Sequence, residues 1–285
     1  MSPAPVSPKP PRTVRRHTWT SATLVDPTVR SVQSMATRIA ILIQHIGQVS
    51  LLTRDTLVAL TTTRFEWRAW VRQIELVGVR SFGIAAATSI FVGVVMAIQF
   101  AFALEKFGAK DTIGRIVAMS EARELAPSLT ALVVGSRVGA GMAAELGSMQ
   151  VTEQIDAIRA LGADPVRKLV LPRVLAAIVI MPMLGSFALM LGVLSAMLVS
   201  WASFGIPMPF FLSTAIDSIG LKDVFTGLAK TPFFGYLIAI VGCHFGMQTR
   251  GGTEGVGRAT TSAVVVVSIT VLIADAVLSQ VFLSM

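Results

Sequence analysis

A charged segment, TEQIDAIRALGADPVRKLVLPR at residues 152–173, separates two long apolar stretches of the chain. Three of its apolar residues recur at spacings of three and share one face of a short helix: Ile155, Ile158 and Leu161. The charged residues of the same helix lie off that face: Glu153, Asp156 and Arg159. An apolar ridge with charges at its rim is typical of a helix that docks into a groove of a partner protein.

Residue types at the ends of this segment predict where the helix starts and stops. Thr152 is the predicted N-cap, because its hydroxyl can accept a bond from a free backbone N–H. Gly162 is the predicted terminating residue, and Asp164 followed by Pro165 is typical of the start of a new helix. The pattern therefore predicts a helix of about three turns at about 152–161.

Two charges fall within stretches that are otherwise apolar enough to lie in a membrane, Arg137 and Asp275. Charges at such positions are costly and mark either function or a buried pair. We expect the two to pair with each other or to be satisfied by backbone groups. Alternatively, Arg137 reaches Glu145 two turns further along its helix.

Small residues step by four along the same stretch as Arg137, with Ala131 and Ala143 continuing the row: Gly135, Gly139 and Gly147. This spacing lets two helix backbones approach closely. We interpret these glycines as helix-packing residues rather than as substrate ligands.

The sequence contains no recognisable catalytic constellation. Its histidines, His17, His45 and His244, are widely separated, and no zinc-protease, nucleophile-elbow or phosphate-loop motif is present. The one cysteine, Cys243, excludes a cysteine-based zinc site and an intramolecular disulfide. We therefore expect a protein that is not an enzyme and that holds no metal or cofactor of its own.

Composition predicts an integral membrane protein. Of 285 residues, 53% are hydrophobic and only 14% are charged, whereas soluble chains carry about 25% charged residues. A helix needs about 20 apolar residues to cross the hydrocarbon core. Charge-free runs then predict three spans, at about 81–104, 174–203 and 228–249, the last extended by a turn beyond its run. Two further spans, at about 125–146 and 258–283, contain Arg137 and Asp275, so five spans are predicted in all.

The distribution of Lys and Arg predicts the orientation of these spans. Residues 1–80, 145–173 and 250–258 flank the spans on one side and together hold 17 Lys and Arg. The flanks on the other side, residues 105–124 and 204–230, hold 6. Cytoplasmic loops carry the excess of positive charge. We expect the N-terminus and the 152–161 helix to be cytoplasmic and the C-terminus to lie outside. The net charge of +8 is scattered between apolar runs, so it does not predict nucleic-acid binding.

The chain before the first span divides into two parts. Residues 1–35 are rich in Pro, Ser and Arg and predict a disordered, basic cytoplasmic arm. Residues 36–80 carry charges every few positions beside Trp67 and Trp70, which favours amphipathic helices lying in the membrane interface. A small soluble helical hairpin is the alternative. The remainder, 81–285, is one five-span domain, so the fold class is an all-α membrane protein.

The stretch RELAPSLTALVVGSRVGAGMAAELGSMQVTEQIDAIRALGADPVRKLVLPR closely resembles the core of the MlaE/YrbE family of ABC-transporter permeases, the membrane subunits of MCE lipid transport systems. GVGRATTSAVVVVSITVLIADAVLSQVF extends the resemblance, which covers roughly residues 40–283 and is greatest to actinobacterial members. It implies that 152–161 is the coupling helix that docks on the ATPase, with Glu153 and Gln154 at its start. It also implies that Glu124, with Pro127 close by, lies near the substrate cavity.

The resemblance implies a set of partners. These are a second permease subunit, expected as a heterodimer with a paralogue, a cytoplasmic ATPase dimer that binds ATP and Mg²⁺, MCE proteins outside, and a lipid or fatty acid substrate. Import across the cytoplasmic membrane is the expected direction. Two other hypotheses stay open on the residues alone: an ion-coupled carrier that uses Glu124, Arg137 and Asp275 as a relay, and a non-transporting membrane scaffold.

Overall fold

The computed structural model describes residues 27–62 and 66–284, and every element in those two ranges is helical. Ten α-helices follow one another along the chain: α1 Pro27–Thr62, α2 Trp67–Ile74, α3 Arg80–Glu105, α4 Ile113–Ser120, α5 Ala126–Val151, α6 Gln154–Ala160, α7 Leu171–Phe204, α8 Met208–Ser218, α9 Leu221–Met247 and α10 Gly252–Leu283. The described residues up to 46 and those from 47 onward form two separate units, and the helices from α2 onward belong to the second.

Five helical stretches are long and apolar enough to cross a membrane: Trp67–Glu105, Lys110–Val151, Val166–Phe204, Leu221–Met247 and Gly252–Phe282. The predicted number of spans and the all-α membrane class are therefore confirmed. All five helical stretches begin before the first residue of the predicted span. A charge marks where the hydrocarbon core ends, but backbone hydrogen bonding continues through charged residues, so the helix itself does not end there.

The two predictions for the chain before the first span, at 1–35 and 36–80, have different outcomes. The predicted arm at 1–35 lies outside the described residues up to 26, but residues 27–35 belong to α1. The predicted interfacial region at 36–80 also lacks a break at its end, because α2 runs through Glu75–Val79 directly into α3. The location of this region in the membrane interface stays a prediction.

Short π-helical segments lie within two of the long helical stretches, at Glu75–Val79 and Glu121–Leu125, and a third, Val166–Val170, begins the stretch that continues as α7. In such segments each hydrogen-bonded turn contains one more residue than in an α-helix, and they are frequent at functional sites. The second of them holds Glu124 and joins α4 to α5. It rotates the residues that precede α5 relative to the regular helix that follows.

The helices after α1 pack around α5, which contacts α3, α7, α9 and α10, while α3 also lies along α7. Large side chains from α5, α7 and α9 fill the centre, among them Leu146, Met181, Phe234 and Ile238. A second, smaller apolar cluster joins α4 and α8 to α3 and α7 around Ile113 and Phe211. The first and last spanning helices keep most of their apolar surface open, with 28% and 17% of their most hydrophobic windows buried.

Candidate functional site

At the end of the bundle remote from α6, polar side chains from three helices meet around a buried lysine. Lys230 Nζ lies 2.9 Å from Glu124 Oε1, 2.7 Å from Ser279 Oγ and 3.5 Å from Asp275 Oδ1. Its fourth contact is the backbone oxygen of Arg123, at 3.2 Å. We call Glu124, Lys230, Asp275 and Ser279 the Lys230 cluster.

Each member of the cluster is positioned by its own element. Glu124 lies in the π segment before α5, and Lys230 is in the third turn of α9. Asp275 and Ser279 are four residues apart on α10 and therefore face the same side of that helix. Ser279 also donates to both carboxylate oxygens of Glu124, at 3.0 and 3.2 Å. The cluster thus joins the second, fourth and fifth spans.

Burial explains why the lysine needs these neighbours. The Lys230 side chain is only 3% exposed, and an isolated ammonium in such surroundings costs several kcal/mol. An ammonium has three N–H donors, and three acceptors surround it: Glu124, Ser279 and the backbone of Arg123. Asp275 therefore contributes charge rather than a hydrogen bond, and its Oδ1 has no hydrogen-bond donor among the described residues.

A cleft of about 240 Å³ opens beside the cluster. Eight residues line it: Arg123, Glu124, Lys222, Asp223, Thr226, Lys230, Ser279 and Phe282. Arg123 forms an ion pair with Asp223, with 2.7 Å between Nη2 and Oδ1. Cationic donors suit a phosphate or carboxylate, and carboxylate and hydroxyl groups suit sugar or glycerol hydroxyls. The cleft can therefore hold a polar head group.

Glu124 and Pro127, both predicted near a substrate cavity, lie in different surroundings. The Glu124 side chain is 45% exposed and lines the cleft. Pro127 is buried in the first turn of α5 and lies beside Gly227 of α9. At Gly227 an added Cβ would stand 2.0 Å from the backbone oxygen of Ala122, so this glycine lets α9 approach the π segment that carries Glu124.

Arg137 does not pair with Asp275, and it does not pair with Glu145. Arg137 Nη1 donates to Ser81 Oγ of α3 at 2.7 Å, whereas Asp275 belongs to the Lys230 cluster. Glu145 is not the partner of Arg137 either, because it forms an ion pair with Arg173 of α7 at 2.9 Å. These partners lie on other helices, so spacing along α5 could not reveal them.

At the opposite end of α5, α6 connects the second and third spans, as predicted. The predicted N-cap is wrong: Thr152 closes α5, where its hydroxyl donates to the backbone oxygen of Ser148 at 2.8 Å. Glu153 precedes α6 with φ 59°, a left-handed conformation that costs a glutamate about 1 kcal/mol. At the other end Gly162 has φ 77°, which glycine adopts without strain. Val166 N donates to Asp164 Oδ1 at 2.9 Å, as the predicted cap requires.

The apolar face of α6 is divided rather than continuous. Ile155 is completely buried within the chain and Ile158 is half-buried, whereas Leu161 is 85% exposed. Asp156 and Arg159 form an exposed ion pair at 2.9 Å. Only the end of the predicted ridge is therefore available to a partner, and Ile155 instead anchors α6 to its own bundle.

The three glycines predicted for helix packing lie in helix contacts. A Cβ at Gly135 would stand 2.6 Å from Ile238 of α9, one at Gly139 would stand 2.9 Å from Val267 of α10, and one at Gly147 would stand 2.8 Å from Thr249. In each case the nearest atom belongs to a side chain. Closer approaches to backbone occur at glycines that the sequence did not single out, including Gly93 and Gly235.

Sequence reasoning missed Lys230, Ser279 and Arg123. Lys230 stands inside the predicted fourth span of 228–249, where a charge is costly. That position, and the i, i+4 spacing of Asp275 and Ser279, were the available signals. No cluster of three or more side chains suited to a metal is found in the described part of the chain.

Comparison with known proteins identifies the family. The family model Permease MlaE matches residues 70–281. A relative from Synechocystis sp., named "Probable ABC transporter permease protein", is 39% identical over 83% of this chain and 90% of its own. One of the same name from Rickettsia bellii is 36% identical over 87% of this chain and 96% of its own. "Protein TRIGALACTOSYLDIACYLGLYCEROL 1, chloroplastic" from Arabidopsis thaliana is 37% identical over 82% of this chain and 67% of its own. The chain therefore belongs to the MlaE family of ABC-transporter permeases.

Proposed function

We propose that this permease moves a lipid or fatty acid across the cytoplasmic membrane, driven by ATP that a separate ATPase hydrolyses. The observation that carries the proposal is the cleft beside the Lys230 cluster. It is polar and charged, yet it opens at one end of a bundle whose outer surface is apolar, as a molecule with a polar head and apolar chains requires. The name of the Arabidopsis relative, which contains that of a galactolipid, supports a lipid substrate.

The Lys230 cluster would bind the head group through its exposed members. Glu124 is half exposed to the cleft, while Lys230 behind it is held by Glu124 and Ser279. Arg123, 43% exposed, would contribute a second cation. A polar head group could therefore exchange its hydrogen bonds with water for bonds to these side chains without exposing Lys230.

Coupling to ATP would take place through α6, at the other end of α5. Leu161 and the Asp156–Arg159 pair form its exposed surface, and Ile155 fixes the helix to the bundle. A push on α6 would therefore pass directly into α5. ATP and Mg²⁺ would be bound by the ATPase dimer, and this chain would hold neither.

A second permease would complete the membrane part of the transporter. The open apolar surface of the first and last spans supports such a partner, and we propose a heterodimer with a paralogue. We also propose that MCE proteins bind on the outer side, that transport is import, and that the N-terminus is cytoplasmic and the C-terminus outside. Family membership favours this function over an ion-coupled carrier or a scaffold.

The coupling role is tested by changing the exposed end of α6. Leu161→Asp is expected to reduce ATPase co-purification and ATP-driven lipid movement in proteoliposomes at least tenfold, because a charge replaces an apolar contact at the interface. The matched control is Leu221→Asp at the start of α9, where the leucine is 92% exposed at the other end of the bundle. Full coupling in the Leu161 variant would contradict the role of α6.

The head-group role is tested separately by Glu124→Gln. The amide retains an oxygen that accepts from Lys230 and Ser279 but removes the charge that faces the cleft. We expect lipid transport to fall about tenfold, the effect of weakening one charge-assisted hydrogen bond, with ATPase co-purification unchanged. Unaltered transport would count against substrate binding at the Lys230 cluster.

A further inference from the structure

A second polar site lies near α6, at the end of the bundle opposite the Lys230 cluster. Two adjoining cavities of about 430 and 500 Å³ occupy the region between the first three spans. They share four lining residues: Gln73, Leu76, Arg80 and Glu145. We refer to the two cavities together as the basic groove.

Positive charge dominates the basic groove. Five cationic side chains line it: Arg72, Arg80, Arg137, Lys168 and Arg173. Among the described residues that line either cavity, Glu145 is the one acidic residue. Its carboxylate neutralises Arg173, so the other four cations face the groove without a matching lining acid. Such an excess attracts an anion with several oxygen acceptors.

Arg173 is a buried side chain of this groove, and its partners hold it in place. Its side chain is only 4% exposed, its Nη2 lies 2.9 Å from Glu145 Oε1, and its Nη1 donates to the backbone oxygen of Leu169 at 2.5 Å. The third nitrogen, Nε, is buried and has no acceptor among the described residues. An unpaired buried donor is costly, so an anionic oxygen that reached Nε would remove that penalty.

The position of the groove matches the head-group level of a bilayer. Glu145 lies in the last two turns of α5, and Arg173 lies in the first turn of α7, so both are close to the turns that flank α6. The helices that form the groove also form an apolar cavity of about 390 Å³, lined by Ile74, Phe82, Ile180 and Phe187 among others. Ile180 is seven residues beyond Arg173, about 10 Å further along α7 towards the middle of the span.

We infer that the basic groove binds the phosphate of an anionic glycerophospholipid from the leaflet on the α6 side. The cations and Arg173 Nε would hold the phosphate, and the apolar cavity between α3 and α7 would accept an acyl chain. A free phosphate would use only the first of these features. The site is separate from the Lys230 cluster and does not depend on that cluster binding a transported substrate.

The test compares two variants of equal charge. Arg72→Gln with Lys168→Gln removes two exposed cations from the groove, whereas Arg167→Gln with Arg250→Gln removes two exposed cations at the same end of the bundle but outside it. The purified full-length protein is placed in nanodiscs of phosphatidylcholine with a minor fraction of phosphatidylglycerol. Native mass spectrometry then measures the phosphatidylglycerol that each protein retains.

The wild-type protein is expected to enrich phosphatidylglycerol, and the groove variant to lose about 25-fold of that enrichment, because each of the two cations it lacks contributes roughly fivefold to binding near a membrane surface. The control variant should lose less than twofold, and excess inorganic phosphate should not displace the lipid. Equal losses in both variants would show general surface attraction and overturn the proposal. Complete displacement by inorganic phosphate would show a soluble anion as the ligand and would also overturn it.

Discussion

The ammonium group of Lys230 shows how a charge is kept inside an apolar bundle. Its three N–H groups donate hydrogen bonds to three acceptors, and Asp275 adds a second negative charge at 3.5 Å. Two carboxylates thus surround one buried cation, and the half-exposed Glu124 connects the group to the cleft. The arrangement satisfies the buried ammonium and leaves one carboxylate partly exposed at the cleft.

Replacing this lysine is expected to destabilise the protein strongly. Lys230→Met keeps the length of the side chain but leaves Glu124 and Asp275 without their cation, at a cost of about 3 kcal/mol. The melting temperature of the purified protein in detergent reports the change. Lys222→Met, an exposed position on the same helix, is the control and should cost less than about 0.5 kcal/mol. Similar melting temperatures for the two variants would contradict this account of Lys230.

At the scale of elements, glycines determine how closely the spans approach. A Cβ at Gly93 of α3 would stand 2.1 Å from the backbone oxygen of Gly192 and 2.4 Å from Ser195 Oγ, both on α7. Ser195 already donates across this contact to the backbone oxygen of Ile90 at 3.0 Å. The first and third spans are therefore in backbone contact, which larger residues would prevent.

A single methyl group at this contact is expected to separate the two helices. Gly93→Ala should lower the free energy of unfolding by about 2 kcal/mol, the usual cost of overpacking. Gly83→Ala, on the same helix with no atom within 4 Å of its added Cβ, should be neutral or stabilising by up to about 1 kcal/mol. Denaturant unfolding in detergent measures both. If Gly93→Ala were as stable as Gly83→Ala, the contact between α3 and α7 would be looser than the structure shows.

At the scale of the whole molecule, α5 belongs to the second of the five spans, so its two ends lie towards opposite sides of the bilayer. The 26 residues of α5 measure about 39 Å, enough to separate the Lys230 cluster from α6 by the thickness of a membrane. Under the proposed orientation and function, head-group binding and ATPase contact would occur on opposite faces. A rigid helix joins them.

Single cysteines test this orientation. In a Cys243→Ala background, Leu221→Cys should react with a membrane-impermeant maleimide on intact cells, because Leu221 is 92% exposed at the outer end of α9. Ala160→Cys, exposed on α6, should react only after the membrane is permeabilised. The opposite labelling pattern would reverse the proposed topology and place α6 out of reach of a cytoplasmic ATPase.

The sequence alone was sufficient for features that depend on neighbouring residues. Apolar stretches of about 20 residues with few charges predicted five spans. Gly162 and Asp164 marked the turn after α6 correctly, because φ preference and capping act over a few residues. Small residues at spacings of four likewise indicated the helices that would pack closely. Local chemistry determines these features before any tertiary contact forms.

Tertiary structure alone decided which partner each isolated charge would meet. Arg137 bonds Ser81, 56 positions away, Lys230 bonds Glu124, 106 positions away, and Ile155 is buried against its own bundle although its spacing predicted an exposed ridge. Periodicity assigns a residue to one face of a helix, but it does not say what that face will pack against. A buried charge must be matched by whichever helix the fold brings beside it, and that choice is a property of the assembled bundle.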